Sequence, residues 1–172
     1  MKGIMYCIIF LSLLSLTAEA ASTKWLWSNS DNKNMFFAAT TTEAGRFFGQ
    51  FCYLDSNTCH YKMRVDLPCT VGQEYPVLVN TDIGARHLAV ICFGNTTKGA
   101  ILDFNNFDMI DELVKSASVI GIAIPVENNR FKVFRFSLIG SAKTIKEMLA
   151  RANAQKQHNQ GSTYPSPDEQ YL

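Results

Sequence analysis

Histidine is scarce in this sequence, and the motifs that mark catalysis are missing. His60, His87 and His158 are its only histidines. A nucleophilic hydrolase needs a Ser or Cys beside a His that an acid orients. No G-x-S-x-G elbow supplies the serine; Ser137 precedes Gly140 inside a predicted strand, away from any sharp turn. No C-x-x-C spacing occurs, and the adjacent pair Cys59 and His60 sends its side chains to opposite faces of an extended chain. No glycine-rich loop is built to cradle phosphate. Catalytic residues, metal and cofactor are accordingly not expected. Charge is thin as well: 16 Lys or Arg face 15 Asp or Glu, and the basic residues are scattered. That excludes the basic stripe of a nucleic-acid-binding domain and the polybasic patch of a membrane-surface protein.

A bilayer-spanning run of roughly 20 apolar residues is also missing. The nearest approach is the start of the chain. Lys2 is followed by Ile4 to Leu16, apolar except for Ser12 and Ser15, and then by Thr17-Ala18-Glu19-Ala20. A basic start, a short apolar stretch and a small-x-small ending make a secretory signal peptide over residues 1–20. Cys7 lies within the apolar stretch, so it offers no lipid attachment point, and no stable membrane anchor is expected. Removing the signal takes away one lysine and one glutamate, leaving the net charge at +1. The destination is the periplasm or the exterior.

Cys52, Cys59, Cys69 and Cys92 remain after cleavage. Four cysteines in an exported chain read as two disulfides, with three connectivities possible. Cys52–Cys59 with Cys69–Cys92 is favoured. The first pair brackets the polar turn Tyr53–Thr58, and a hairpin would bring its ends face to face. Loop-closure entropy puts the two bonds at about 2.5 and 3.5 kcal/mol as upper figures.

Residues 21–154 form one β-rich domain in this reading. Trp25 and Trp27 share a face if extended. Strands are expected over 35–41, 46–53, 59–67, 74–80, 86–93, 99–104, 119–126 and 131–139. The clearest is 59–67, where Cys59, Tyr61, Met63, Val65 and Leu67 alternate with His60, Lys62, Arg64 and Asp66. Val119–Val126 is a continuous apolar run, suited to burial on both faces. Asn106 caps a helix over 107–116, and a second helix runs from Gly140-Ser141 to about Arg151. From Gln155 to Leu172 the polar composition reads as a disordered tail. The fold class is α+β: a mainly antiparallel sheet or sandwich with two packed helices, disulfide-bonded.

Phe134-Arg-Phe-Ser-Leu-Ile-Gly140, Cys92, and the stretch from Cys69 through Tyr75-Pro-Val-Leu-Val to Ala85 resemble small exported bacterial proteins of uncharacterised function. The strand that passes through Ser-Leu-x-Gly into a helix is similar to the invasion-associated locus B family. The resemblance covers residues 69–92 and 119–150. It implies a secreted β-rich domain with paired cysteines and no established enzyme activity. A further Cys pair after the central strands, expected of that family, is missing here.

Two functions follow. The favoured one is a non-catalytic binding protein of the bacterial envelope: an accessory factor, inhibitor or immunity protein whose partner is a protein or envelope component. The alternative is a small secreted hydrolase of envelope polymers, using carboxylates among Asp103, Asp108, Asp111 and Glu112. For the binder, the candidate surface is the solvated row His60, Lys62 and Arg64 with Asp55 and Asn57 of the adjoining loop. That row suits an anionic partner. The exported protein should begin at Ala21. Its intact mass checks this, and a membrane-held chain retaining residues 1–20 would contradict it.

Overall fold

Alternation of apolar and polar residues decides which side each strand buries, and eight pairings propagate that choice across one sheet. In a computed structural model, residues 24–161 are described. The elements are β1 Leu26–Asn29, β2 Met35–Thr41, β3 Phe47–Tyr53, β4 Thr58–Val65, β5 Glu74–Thr81, β6 Gly84–Thr96 and β7 Gly99–Phe104. Then come α1 Phe107–Ser116, β8 Val119–Val126, β9 Arg130–Ser137 and α2 Ser141–Gly161. The strands lie in the order β1-β2-β3-β4-β7-β6-β5-β8-β9, and every pairing is antiparallel. One sheet with two helices is an α+β fold; the sandwich alternative is set aside.

The inner face gathers around Phe48, which is wholly buried. Its ring centroid lies 6.2 Å from Trp25, 6.0 Å from Tyr61, 5.9 Å from Phe104 and 5.5 Å from Phe136. Phe136 belongs to the last strand and Trp25 precedes the first, so the sheet curls until its two edges meet. Trp25 Nε1 donates to the Ser137 carbonyl at 2.7 Å across that seam. Helix α1 covers one mouth of the curl. Asn106 accepts from the Met109 amide at 3.1 Å as its N-cap, and Ile110, Leu113 and Val114 are buried. Phe107 lies 5.4 Å from Tyr61. Helix α2 packs on β1 and β2, burying Ile145, Met148 and Ala152.

Cys52 is bonded to Cys59 and Cys69 to Cys92, the pairing that the hairpin argument favours. Three expectations are corrected. Val119–Val126 is not buried on both faces: Ile120, Ile122 and Ile124 are buried while residues between them are partly or fully exposed, because only the isoleucine side joins the core. Trp25 and Trp27 do not share surroundings; Trp25 is in the core and Trp27 lies exposed beside Arg151. The last helix does not stop near Arg151 but reaches Gly161. Residues 155–161 have little to bury, yet Ala, Gln and Lys favour helix. Gln155 Nε2 also donates to Asn159 Oδ1, and Lys156 Nζ to Asn57 Oδ1, both at 2.8 Å. Residues 1–23, with the expected signal peptide and the Ala21 start, and residues 162–172 lie outside the described residues. Among those described, no helix is long and apolar enough to cross a membrane.

Two strands approach closely at Gly49, where a Cβ would fall 2.3 Å from the Ala38 carbonyl oxygen and 2.5 Å from Ala39 Cβ. Gly49→Ala should therefore force β2 and β3 apart and cost about 1–3 kcal/mol. The check is a lower denaturation midpoint at unchanged slope.

Candidate functional site

The period of two along β4 sends Tyr61, Met63 and Val65 inward and His60, Lys62 and Arg64 to the outer face. Register then sets their neighbours. Lys62 stands opposite Gly49 on β3 and Asp103 on β7, and Asp103 stands opposite Ile91 on β6. His60 stands opposite Phe51, and Thr58 opposite Tyr53.

This face is not the solvated row expected from sequence. Lys62 is only 5% exposed. The cause is a β-bulge where the β6–β7 register shifts between Cys92 and Gly94. It leaves Phe93 as the extra residue, and its ring lies over Lys62 with Nζ 3.6 Å from the centroid. On the other side Lys62 Nζ donates to Tyr53 Oη at 3.0 Å and lies 5.1 Å from that ring's centroid. Two rings thus enclose one ammonium, an arrangement the ring quadrupoles favour. Asp103 Oδ2 completes the cluster, 3.9 Å from Lys62 Nζ and 3.2 Å from His60 Nδ1. Asp103 Oδ1 is buried and accepts no hydrogen bond from the described residues. Burial raises the Asp103 carboxyl above its ordinary range, with the neighbouring His60 and Lys62 charges pulling the other way.

Arg64 is engaged too. Its Nε donates to the Gly45 carbonyl at 3.0 Å, a second guanidinium nitrogen binds the same oxygen, and the group lies 5.2 Å from the Phe47 centroid. Beyond it run half-buried rings: Phe47 and Phe37 each 5.5 Å from Phe51. Asp55 and Asn57 are not part of the cluster. They sit at the tip of the β3–β4 hairpin, where Asp55 Oδ1 accepts from the Ser56 amide and Asn57 is held by Lys156 of α2.

The carboxylates that sequence groups near one helix start are divided by the sheet. Asp103 is on the outer face. Asp111 is on the inner side, accepting from Tyr61 Oη at 2.8 Å and from Lys115 at 2.6 Å. Burial first, and then Asp111, holds the Tyr61 phenol far above its usual pKa. His60 and Asp103 form a dyad, but the hydroxyls nearest in the chain, Ser56 and Thr58, bond each other at 2.8 Å, and both neighbouring cysteines are in the disulfide. Sequence reasoning takes Tyr53 only as the start of the polar loop 53–58, and it misses Phe93 and the placement of Asp103. Only the odd spacing of apolar residues around Cys92-Phe93-Gly94 hints at the bulge.

The fold is similar to that of invasion associated protein B from Bartonella henselae. The match covers 79% of this chain and 97% of that one, at a TM-score of 0.50 and 14% identity. At that identity the likeness is one of fold. No family model matches the chain, and no curated protein matches it.

Lys62→Met should strand the half-buried Asp103 and lower stability by about 2 kcal/mol, less than for a fully isolated charge because His60 remains. Adding Asp103→Leu should recover most of that loss. Urea denaturation of the single and double variants checks this order. A raised folded-state pKa also means that the Asp103 contribution is fully present below the unfolded carboxyl pKa and is lost as pH rises through the folded value. Asp103→Asn should flatten that segment of the stability–pH curve.

Proposed function

We propose that this chain is an exported, non-catalytic binding protein of the bacterial envelope that meets a protein or envelope component on the outer face of β2–β3–β4–β7–β6. The observation that carries this reading is the state of that face. Phe37, Phe47, Phe51 and Tyr53 are half-buried and Phe93 is 59% exposed, while the cations among them are already engaged. A rigid aromatic surface loses little entropy on binding and yields much apolar area. The reading thus shifts from charge attraction, which free Lys62 and Arg64 would supply, to ring contact. Separation of Asp103 from Asp111, and the lack of a hydroxyl or thiol partner for His60 in the contacts described above, weigh against the hydrolase alternative. Two disulfides suit an oxidising compartment.

A photo-crosslinking phenylalanine analogue placed at 93, in cells that export the protein, should give a discrete adduct. The same analogue at Ile83, exposed on the β5–β6 turn, should not. Equal adducts at both positions, or none at 93, would contradict the reading. Phe51→Ser should abolish the adduct at 93.

A further inference from the structure

The curl of the sheet leaves two mouths, and α1 covers only one. The other opens as a cleft of about 770 Å³ between the end of β4, the Leu67–Cys69 segment, β7 and the β8–β9 hairpin. Its floor is the inner face itself: Val65, Leu102 and Ile124, each no more than 6% exposed. Leu67 and the Tyr75 ring form walls, and Phe131 stands at the rim, 64% exposed. Volume and apolar lining are those of a small-molecule site at the mouth of a barrel-like sheet. The wall is preformed. Cys69 is bonded to Cys92, its amide donates to Asn95 Oδ1 at 3.2 Å, and Asn95 Nδ2 donates back to the Cys69 carbonyl at 2.8 Å. The Ala100 amide donates to the Leu67 carbonyl at 3.1 Å, and Tyr75 Oη accepts from the Thr70 amide at 3.0 Å.

The rim carries polarity of one dominant sign. Asp66 accepts from Arg46 and pairs with Lys132, both at 3.0 Å, so two cations share one carboxylate. Although partial burial opposes it, those bonds hold Asp66 below its ordinary pKa. Arg130, exposed on the lining of the cleft, has no ionic or hydrogen-bond partner among the described residues. Glu127, on the same turn, is the one opposing charge in the lining. In the lining itself Arg130 and Lys132 therefore stand against Glu127 at the entrance to an apolar floor.

We propose that this cleft binds a single-chain amphiphile with an anionic end: the acyl chain runs over Val65, Leu102 and Ile124, and the carboxylate or phosphate meets Arg130. An arginine suits either anion because its planar fork matches both. This site is separate from the outer face, so crosslinking at Phe93 is not expected to depend on it.

The test is fluorescence titration of the protein carrying residues 21–172 with 11-(dansylamino)undecanoic acid, followed by displacement with palmitate, hexadecanol and lysophosphatidylglycerol. One saturable site per monomer is expected, with an emission blue shift. Palmitate or lysophosphatidylglycerol should displace the probe about tenfold better than uncharged hexadecanol, the size of one charge-assisted hydrogen bond. Whichever of the two anions displaces better assigns the source, free acid or lipid headgroup. Leu67→Trp should block the cleft and abolish binding. Phe131→Asp, at an exposed position where folding is not at risk, should weaken it at least as much as Arg130→Ser does. Arg130→Ser should remove the preference for anions while leaving hexadecanol unchanged. Absence of saturable binding, equal displacement by hexadecanol, or unchanged binding in Phe131→Asp would overturn the proposal. So would binding that appears only with a change of oligomeric mass, since the cleft would then be a contact between copies.

Discussion

The packing of Phe48 against rings from opposite ends of the sheet is the constraint on which the rest of the structure depends. A flat nine-stranded sheet would leave Trp25 and Phe136 far apart, and each would face water. Curling brings both to Phe48, and burial of apolar area at about 25 cal/mol per Å² is the force that holds the curl. Once the sheet is curved, its interior has two mouths. The capped, amphipathic α1 closes one, and the size of the open one follows from how many strands the seam between Trp25 and Ser137 must span.

Curvature has a second effect on the convex side. The bulge at Phe93 bends β6 and swings a ring over Lys62, which converts an expected solvent-facing lysine into a buried one. A buried ammonium is tolerated because two rings, a phenol oxygen and a carboxylate surround it. The chemistry of the outer face is thereby inverted: charges lie beneath and aromatic carbon lies above. Arg64 shows the same pattern, its guanidinium turned to a backbone carbonyl and a phenylalanine.

Much of this architecture is legible in local patterns. Alternation over 59–67, the polar turn between Cys52 and Cys59, the Asn106 cap and the heptad-like apolar positions of α1 locate their elements to within a residue or two. The strand at 119–126 misleads because Val, Gly, Ala and Pro on its partly exposed face are themselves apolar, so periodicity vanishes where packing still alternates. The reach of α2 is hidden because its last turns bury almost nothing and rely on propensity. The outer cluster is harder still. Tyr53, His60, Lys62, Phe93 and Asp103 come from four strands, and a bulge that shifts register by one residue cannot be read from alternation that continues on either side of it. Membership of the cleft is likewise non-local, since Val65 and Ile124 meet only when the sheet curls.

The two disulfides differ in what must exist before they can close. Cys52 and Cys59 are direct cross-strand partners, 7 residues apart, within one hairpin. Cys69 and Cys92 are 23 apart, and Cys69 lies ahead of β5 while Cys92 is paired with Leu102 of β7. The first bond needs only a nascent hairpin and the shorter loop closure; the second needs the longer β5–β6 hairpin, whose pairing runs on to Gln73 and Cys92. Oxidation of this chain therefore has a built-in chronology. The early bond locks the parity of β4, fixing which side becomes floor and which becomes face, before the late bond seals the wall of the cleft.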